Sequence, residues 1–353
     1  MARSRSTTTS AFFFLCLYSS FYLTASTTPL FPKDALPTKS GYLPVNHATG
    51  SAIFYAFYEA QTPTSPLSKT PLLIWLQGGP GCSSMIGNLF ELGPWRVVSS
   101  HMKNAHNLTL ERNPGSWNRL FGLLFLDNPI GTGFINERQK GELEEAQREA
   151  VELVKMGNWS EATNARSKVL SRLQNMTGLA TLYDFTKKIP YQTEFAVRFL
   201  NIAEVKRALG VNESMVFEEC SDVVGDVLHE DVMKSVKYMV EFLVKNSKVL
   251  LYQGLYDLRD GVVSTEAWVK TMKWEGIEKF KMADRVIWKV NGELAGYLQK
   301  WGSLTNVVVS GAGHLLPADQ ALNSQAMTED WVLEKGQFGG KQRGSSTKFR
   351  ATL

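Results

Sequence analysis

Cysteine is scarce here: three in 353 residues, at positions 16, 82 and 220. So few thiols cannot build a disulfide-rich scaffold. The histidines, at 47, 101, 106, 229 and 314, never fall at metal-ligand spacing, so no metal site is expected. No Gly-Lys-Ser/Thr closes a glycine-rich phosphate loop, and no cofactor motif is present. Excess charge is missing too. The net charge is +4, or +2 without Arg3 and Arg5, too little to argue for nucleic acid as a partner. Beyond the N-terminus no apolar run approaches the roughly 20 residues of a membrane span. No internal repeat is visible. What remains is an ordinary globular composition, 44% hydrophobic and 20% charged, long enough for one large α/β domain with insertions.

The first 26 residues read as a secretory signal. Arg3 and Arg5 precede an apolar stretch over 11–23, and Thr24-Ala25-Ser26 offers small residues for cleavage. A membrane anchor is the alternative, although the stretch is short for one. With signal removal Cys16 leaves, so no anchor would remain. Cys82 and Cys220 then form an even pair, either a disulfide of an oxidising compartment or two buried thiols. A bridge closing so long a loop would contribute roughly 4–5 kcal/mol in the chain-entropy model. Sequons at Asn107, Asn158, Asn175 and Asn212 fit a secreted or vacuolar protein.

Along the chain, residues 41–45 and 51–58 read as a hairpin. Residues 72–76 are a continuous apolar run, as a buried strand requires, and 120–126 a second. From 136 the character turns helical. The spacing predicts helices over 137–156 and 160–174, broken at Gly157-Asn158, then over 193–209 and 229–245. Strands return at 248–253 and 304–310, with a helix near 263–273. Residues 340–353 form a basic, disordered tail. This order suits an α/β sheet with a mainly helical cap inserted over 136–215.

Two titratable residues follow strand-like runs. Asp257 ends Leu250-Leu251-Tyr252-Gln253-Gly254-Leu255-Tyr256-Asp257, and His314 ends Val307-Val308-Val309-Ser310-Gly311-Ala312-Gly313-His314. An α/β-hydrolase presents the acid and base of a Ser–Asp–His triad in this order. Each residue alone has a plainer reading, as a turn aspartate or a structural histidine, and Asp260 competes with Asp257. Gln77-Gly78-Gly79-Pro80-Gly81 follows the 72–76 strand. Its glycines suit either an oxyanion hole or a structural turn. The nucleophile is what the sequence lacks: no serine stands in a Gly-x-Ser-x-Gly elbow. Ser83 and Ser84 follow the glycine-rich turn but lack a helix-opening glycine at the right offset, and Ser310 sits inside the strand leading to His314.

With these residues assembled, the chain resembles the serine carboxypeptidases, in particular the plant serine carboxypeptidase-like proteins, over roughly residues 32–338. The carrying motifs are Leu76-Gln77-Gly78-Gly79-Pro80-Gly81-Cys82-Ser83-Ser84, Glu91-Leu92-Gly93-Pro94 and Asn113-Pro114-Gly115-Ser116-Trp117-Asn118. Leu124-Phe125-Leu126-Asp127-Asn128-Pro129-Ile130-Gly131-Thr132-Gly133-Phe134, Gly311-Ala312-Gly313-His314 and Pro317 complete them.

The resemblance implies an α/β-hydrolase fold with a helical cap. Gly79 would supply an oxyanion-hole N–H, and Gln77 and Gly78 would help bind a substrate's terminal carboxylate. Gln77 stands where many members carry Asn. Cys82 would pair with Cys220, and Asp257 and His314 would complete the triad. It implies hydrolysis of C-terminal peptide bonds, with a peptide or small acyl substrate and no cofactor. A related acyltransferase would use the same triad. A stretch of about ninety residues carrying a Gly-Glu-Ser-Tyr-Ala-Gly elbow is expected next, yet Phe134 runs directly into Ile135. The chain is therefore expected to lack activity as written, and a non-catalytic truncated isoform acting as a binding protein is the further reading. The strands at 72–76 and 248–253 should lose their central neighbours, leaving a marginally stable fold.

Overall fold

The computed structural model describes residues 31–46, 51–79, 81–99, 108–127 and 141–339. The N-terminal signal, the basic tail, Asn107, and the junction between Phe134 and Ile135 lie outside the described residues.

Two four-stranded sheets carry the fold. In the first, β1 (Lys39–Asn46) and β2 (Ser51–Tyr58) form the expected antiparallel hairpin. β2 pairs antiparallel with β6 (Gly122–Leu126), and β6 pairs parallel with β3 (Leu72–Leu76), giving the order β1-β2-β6-β3. In the second, β7 (Val249–Gly254) runs parallel to β10 (Leu304–Val309). The antiparallel strands β9 (Glu293–Trp301) and β8 (Arg285–Val290) complete the order β7-β10-β9-β8. A separate ribbon joins β4 (Trp95–Ser99) to β5 (Leu108–Arg112).

β3 and β7 are thus free edges, with no strand between them among the described residues. The contrast between β3 and β10 shows the cost. Both are rich in large apolar residues. β10 lies between two strands with helices on its faces and is buried at every position. In β3, Leu72, Ile74 and Leu76 are 52%, 57% and 53% exposed. The expectation of a buried 72–76 strand therefore fails on one face. Nothing among the described residues covers that side, and a parallel edge of this kind normally lies inside a sheet.

The halves meet through the segment after β3. Residues 84–92 continue from a short α-turn into a π-type turn over Gly87–Leu92. Arg96 reaches from β4 to the Pro317 and Ala318 carbonyls at 2.6 and 3.4 Å, and Trp117 Nε1 donates to Ser324 Oγ at 3.2 Å. One core gathers Leu89, Leu92, Leu123, Phe125 and Phe199. Val307, Val309, Leu316 and Met327 form another beneath the second sheet.

The helical region begins with Gly141–Lys155 and Trp159–Thr177, separated at Gly157 (φ 72°) and capped by Asn158. The expected 193–209 helix divides into Glu194–Leu200 and Ala203–Leu209. At the break, the Asn201 side chain exchanges two 2.8 Å hydrogen bonds with the Phe217 backbone. The expected 229–245 helix is shorter. His229–Asp231 is one 3-10 turn, its His229 carbonyl taken by Thr163 Oγ1 at 2.8 Å, and the helix proper is Lys237–Asn246. Val262–Val269 matches the helix expected near 263–273.

Candidate active site

β7 and β10 are parallel neighbours, so the segments leaving their C-terminal ends emerge side by side. Their approach demands glycine. A Cβ on Gly254 would collide with the carbonyls of Gly313 and Ala312, and one on Gly313 with Tyr183 O. Leu255 N donates to Val309 O at 3.0 Å and Tyr256 N to Ala312 O at 2.8 Å. The two turns are locked together, and Asp257 and His314 project from them.

His314 Nδ1 lies 2.7 Å from Asp257 Oδ2. The Asp257 side chain is wholly buried, and it also accepts from Gln253 Nε2 (2.7 Å), Arg259 N (2.8 Å) and Asp260 N (3.1 Å). Four donors on one buried carboxylate satisfy its charge and fix its plane. Asp260, the sequence's rival, stands 3.8 Å from Nδ1 and instead meets Arg166 at 3.3 Å. The base is steadied by Tyr183: His314 N donates to Tyr183 O at 2.7 Å, and the two rings lie 4.7 Å apart. Asp319 Oδ2 holds Gly313 N at 2.9 Å and Tyr191 Oη at 2.5 Å, while Lys187 meets its Oδ1 at 2.8 Å.

The second group surrounds Gln77 at the C-terminal end of β3. Gln77 Oε1 accepts from Trp75 Nε1 at 2.8 Å, which orients the amide so that Nε2 donates to Glu91 Oε1 at 2.9 Å. Gly78 is exposed, with open space where a Cβ would stand. Gly79 has φ 154°, and a Cβ there would meet Cys82 Sγ at 2.9 Å, so both backbone and space require glycine. Cys82 and Cys220 are disulfide-bonded across 138 residues of sequence, and Ser83 N donates to Glu219 O at 2.9 Å beside them.

Glu91 belongs to a motif quoted from the sequence, but no pattern gave it a role. It is 2% exposed. Burial pushes its carboxyl up to about 7, against the opposing influence of the Gln77 hydrogen bond and the nearby His314 and Arg96. Its electrostatic reach to His314 links the two groups. Below about pH 7 a protonated carboxyl beside an amide Nε2 is a corner able to donate to an anionic oxygen.

The candidate replacement serines are engaged elsewhere. Ser83 Oγ donates to Asp127 Oδ1 at 2.8 Å and caps the following turn. Ser84 is fully buried, accepting from Gln77 N and donating to Leu126 O. Ser310 lies beyond the end of β10, its N–H on Ala295 O at 2.8 Å. Among the described residues no serine hydroxyl hydrogen-bonds the His314 ring. Nor does any group of three or more His, Cys, Asp or Glu among them suit a metal. Asn158, Asn175 and Asn212 are exposed.

The serine carboxypeptidase profile matches residues 29–156 and 158–334. Serine carboxypeptidase-like 50 of Arabidopsis thaliana is 47% identical over 417 aligned positions, covering 90% of this chain and 93% of the relative. The probable serine carboxypeptidase CPVL of Homo sapiens is 26% identical, covering 87% and 85%. Among solved structures, Kex1(delta)p, a prohormone-processing carboxypeptidase from Saccharomyces cerevisiae, superposes with a TM-score of 0.61 at 18% identity, covering 85% and 92%. The fold is that of the α/β-hydrolases, and the chain belongs to the serine carboxypeptidase family.

Proposed function

We infer that this chain is a serine carboxypeptidase homologue without peptidase activity, which keeps the base-and-acid half of a triad and a carboxylate-binding corner. The carrying observation is the assembled Asp257–His314 pair with no serine hydroxyl on its imidazole among the described residues, in a chain with no Gly-x-Ser-x-Gly. The alignment with the Arabidopsis relative supports the reading. It spans 417 positions, whereas 90% of 353 residues is about 318, so about 100 positions hold residues of the relative only. The edges that β3 and β7 present among the described residues support it too, because the nucleophile's strand and its successor would be their expected neighbours.

The chemistry follows from the parts present. Nδ1–H of His314 donates to Asp257, which fixes the tautomer and leaves Nε2 as the basic nitrogen. In a complete triad that nitrogen takes the serine proton and later returns it to the leaving amine. Without an acyl acceptor on the enzyme, neither peptide hydrolysis nor acyl transfer to another substrate can start by this route. Binding would survive: the Gln77 amide, with the Glu91 carboxyl protonated below about pH 7, is suited to a peptide's terminal carboxylate, or that of a small acyl compound.

The secretory route is the matching location, secreted or vacuolar. The Cys82–Cys220 bridge needs an oxidising compartment, and the described sequons are exposed. No helix among the described residues is long and apolar enough to cross a membrane.

The test is incubation of the pure chain with a blocked dipeptide, beside a His314→Ala control. Equal release of amino acid from both is expected. Release from the unaltered chain above the control overturns the reading.

A further inference from the structure

A cavity of about 320 Å³ lies beside the disulfide turn, lined there by Gly81 and Ser83. None of Gln77, Gly78, Gly79, Asp257 or His314 lines it, so it is separate from the candidate active site. Its floor is the β1–β2 hairpin, through Tyr42 and Phe54, and its walls are Leu200, Leu209 and Phe217. The walls are fixed. The paired hydrogen bonds between Asn201 and the Phe217 backbone hold one side, and the Cys82–Cys220 bridge holds the loop at the other. Tyr42 Oη donates to Met215 Sδ at 3.4 Å, joining the hairpin to that loop at the mouth.

Among the described residues, one buried cation lines this apolar space. Lys206 is 6% exposed. A lysine ammonium has three N–H donors, and among the described residues Lys206 Nζ has one acceptor, Glu213 O at 3.3 Å, and no carboxylate partner. The Glu213 carboxylate is paired with Arg207 at 3.0 Å. Of the two acidic residues in the described lining, Asp127 accepts from Ser83 Oγ and Ser84 N, and Glu218 is exposed to solvent. A buried ammonium with unused donors is costly unless an acceptor meets it. The rim is itself apolar and exposed at Met215 and Val216, both of which line the cavity.

We propose that this cavity binds an amphipathic monocarboxylate, a medium-chain aliphatic acid whose tail fills the apolar chamber and whose carboxylate meets Lys206. The volume suits such a ligand. The exposed apolar rim gives the tail an entry surface, and the methionine at the mouth adapts to its shape.

The probe is decanoate, with decanol as its uncharged counterpart, titrated into the full-length chain carrying methyl-labelled methionine. Met85 and Met215 line the cavity, whereas Met272 and Met327 lie in cores of the second half. Saturable shifts of the Met85 and Met215 methyls with decanoate are expected, with Met272 and Met327 unmoved. Decanoate should bind at least tenfold more tightly than decanol. Lys206→Met, which keeps the stem and removes the charge, should abolish that preference. Absence of saturable shifts at Met85 and Met215 overturns the proposal. So does equal affinity for decanoate and decanol in the unaltered chain, a comparison that stands even if Lys206→Met does not fold.

Discussion

Gln77 Nε2 donates to Glu91 Oε1 at 2.9 Å, tying the exposed glycine turn after β3 to a carboxyl buried inside the first half. Because burial lifts Glu91 to about 7, the folded chain holds a proton that the unfolded chain releases above its ordinary value near 4.5. Native stability should therefore fall as pH rises from about 4.5 to 7, by on the order of 3 kcal/mol from this group. Asp127, also raised by burial, acts in the same direction. Urea midpoints across this range should drop, and Glu91→Gln should flatten part of the fall. An unchanged pH profile in Glu91→Gln contradicts the assignment.

The face of β3 that the described residues leave uncovered makes a second prediction. Leu72, Ile74 and Leu76 should bind an environment-sensitive apolar dye, and the thermal transition should be broad rather than sharply cooperative. Ile74→Thr keeps a β-forming residue while removing apolar surface, so dye fluorescence should decrease. Val307→Thr is the opposite case. It buries a hydroxyl in a central strand, should cost about 1–3 kcal/mol, and should raise the dye signal. A sharp melt, or a dye signal indifferent to Ile74→Thr, contradicts this.

How much of this was legible depended on what each residue answers to. The β1–β2 hairpin, β3, β6, β7 and β10 follow from local apolar patterns, and the break at Gly157-Asn158 from turn chemistry. The β8–β9 hairpin carried a readable signal that was missed. Asn291 and Gly292, at φ 51° and 87°, form the two-residue turn that Asn-Gly favours. The split of 193–209 was not readable, because it depends on Asn201 meeting Phe217 sixteen residues away. For the site, Asp257 and His314 were legible from strand ends. Glu91 was not, because its character comes from burial and from Gln77, and neither is a local pattern.

The Cys82–Cys220 bridge anchors the turn bearing Gly79 to the loop that walls the further cavity. Cys220→Ser should cost about 2–5 kcal/mol, the usual loss for a structural bridge. That should appear as a lowered urea midpoint and a larger unfolded fraction. A midpoint equal to that of the unaltered chain contradicts a structural role.

The most direct test of the central claim is labelling with a fluorophosphonate, which reacts covalently with a serine activated by a neighbouring base. Peptide mapping by mass spectrometry should find no His314-dependent adduct on any serine of the purified chain. An adduct at Ser83, Ser84, Ser310 or another serine, lost in His314→Ala, would contradict the account and reveal a working nucleophile.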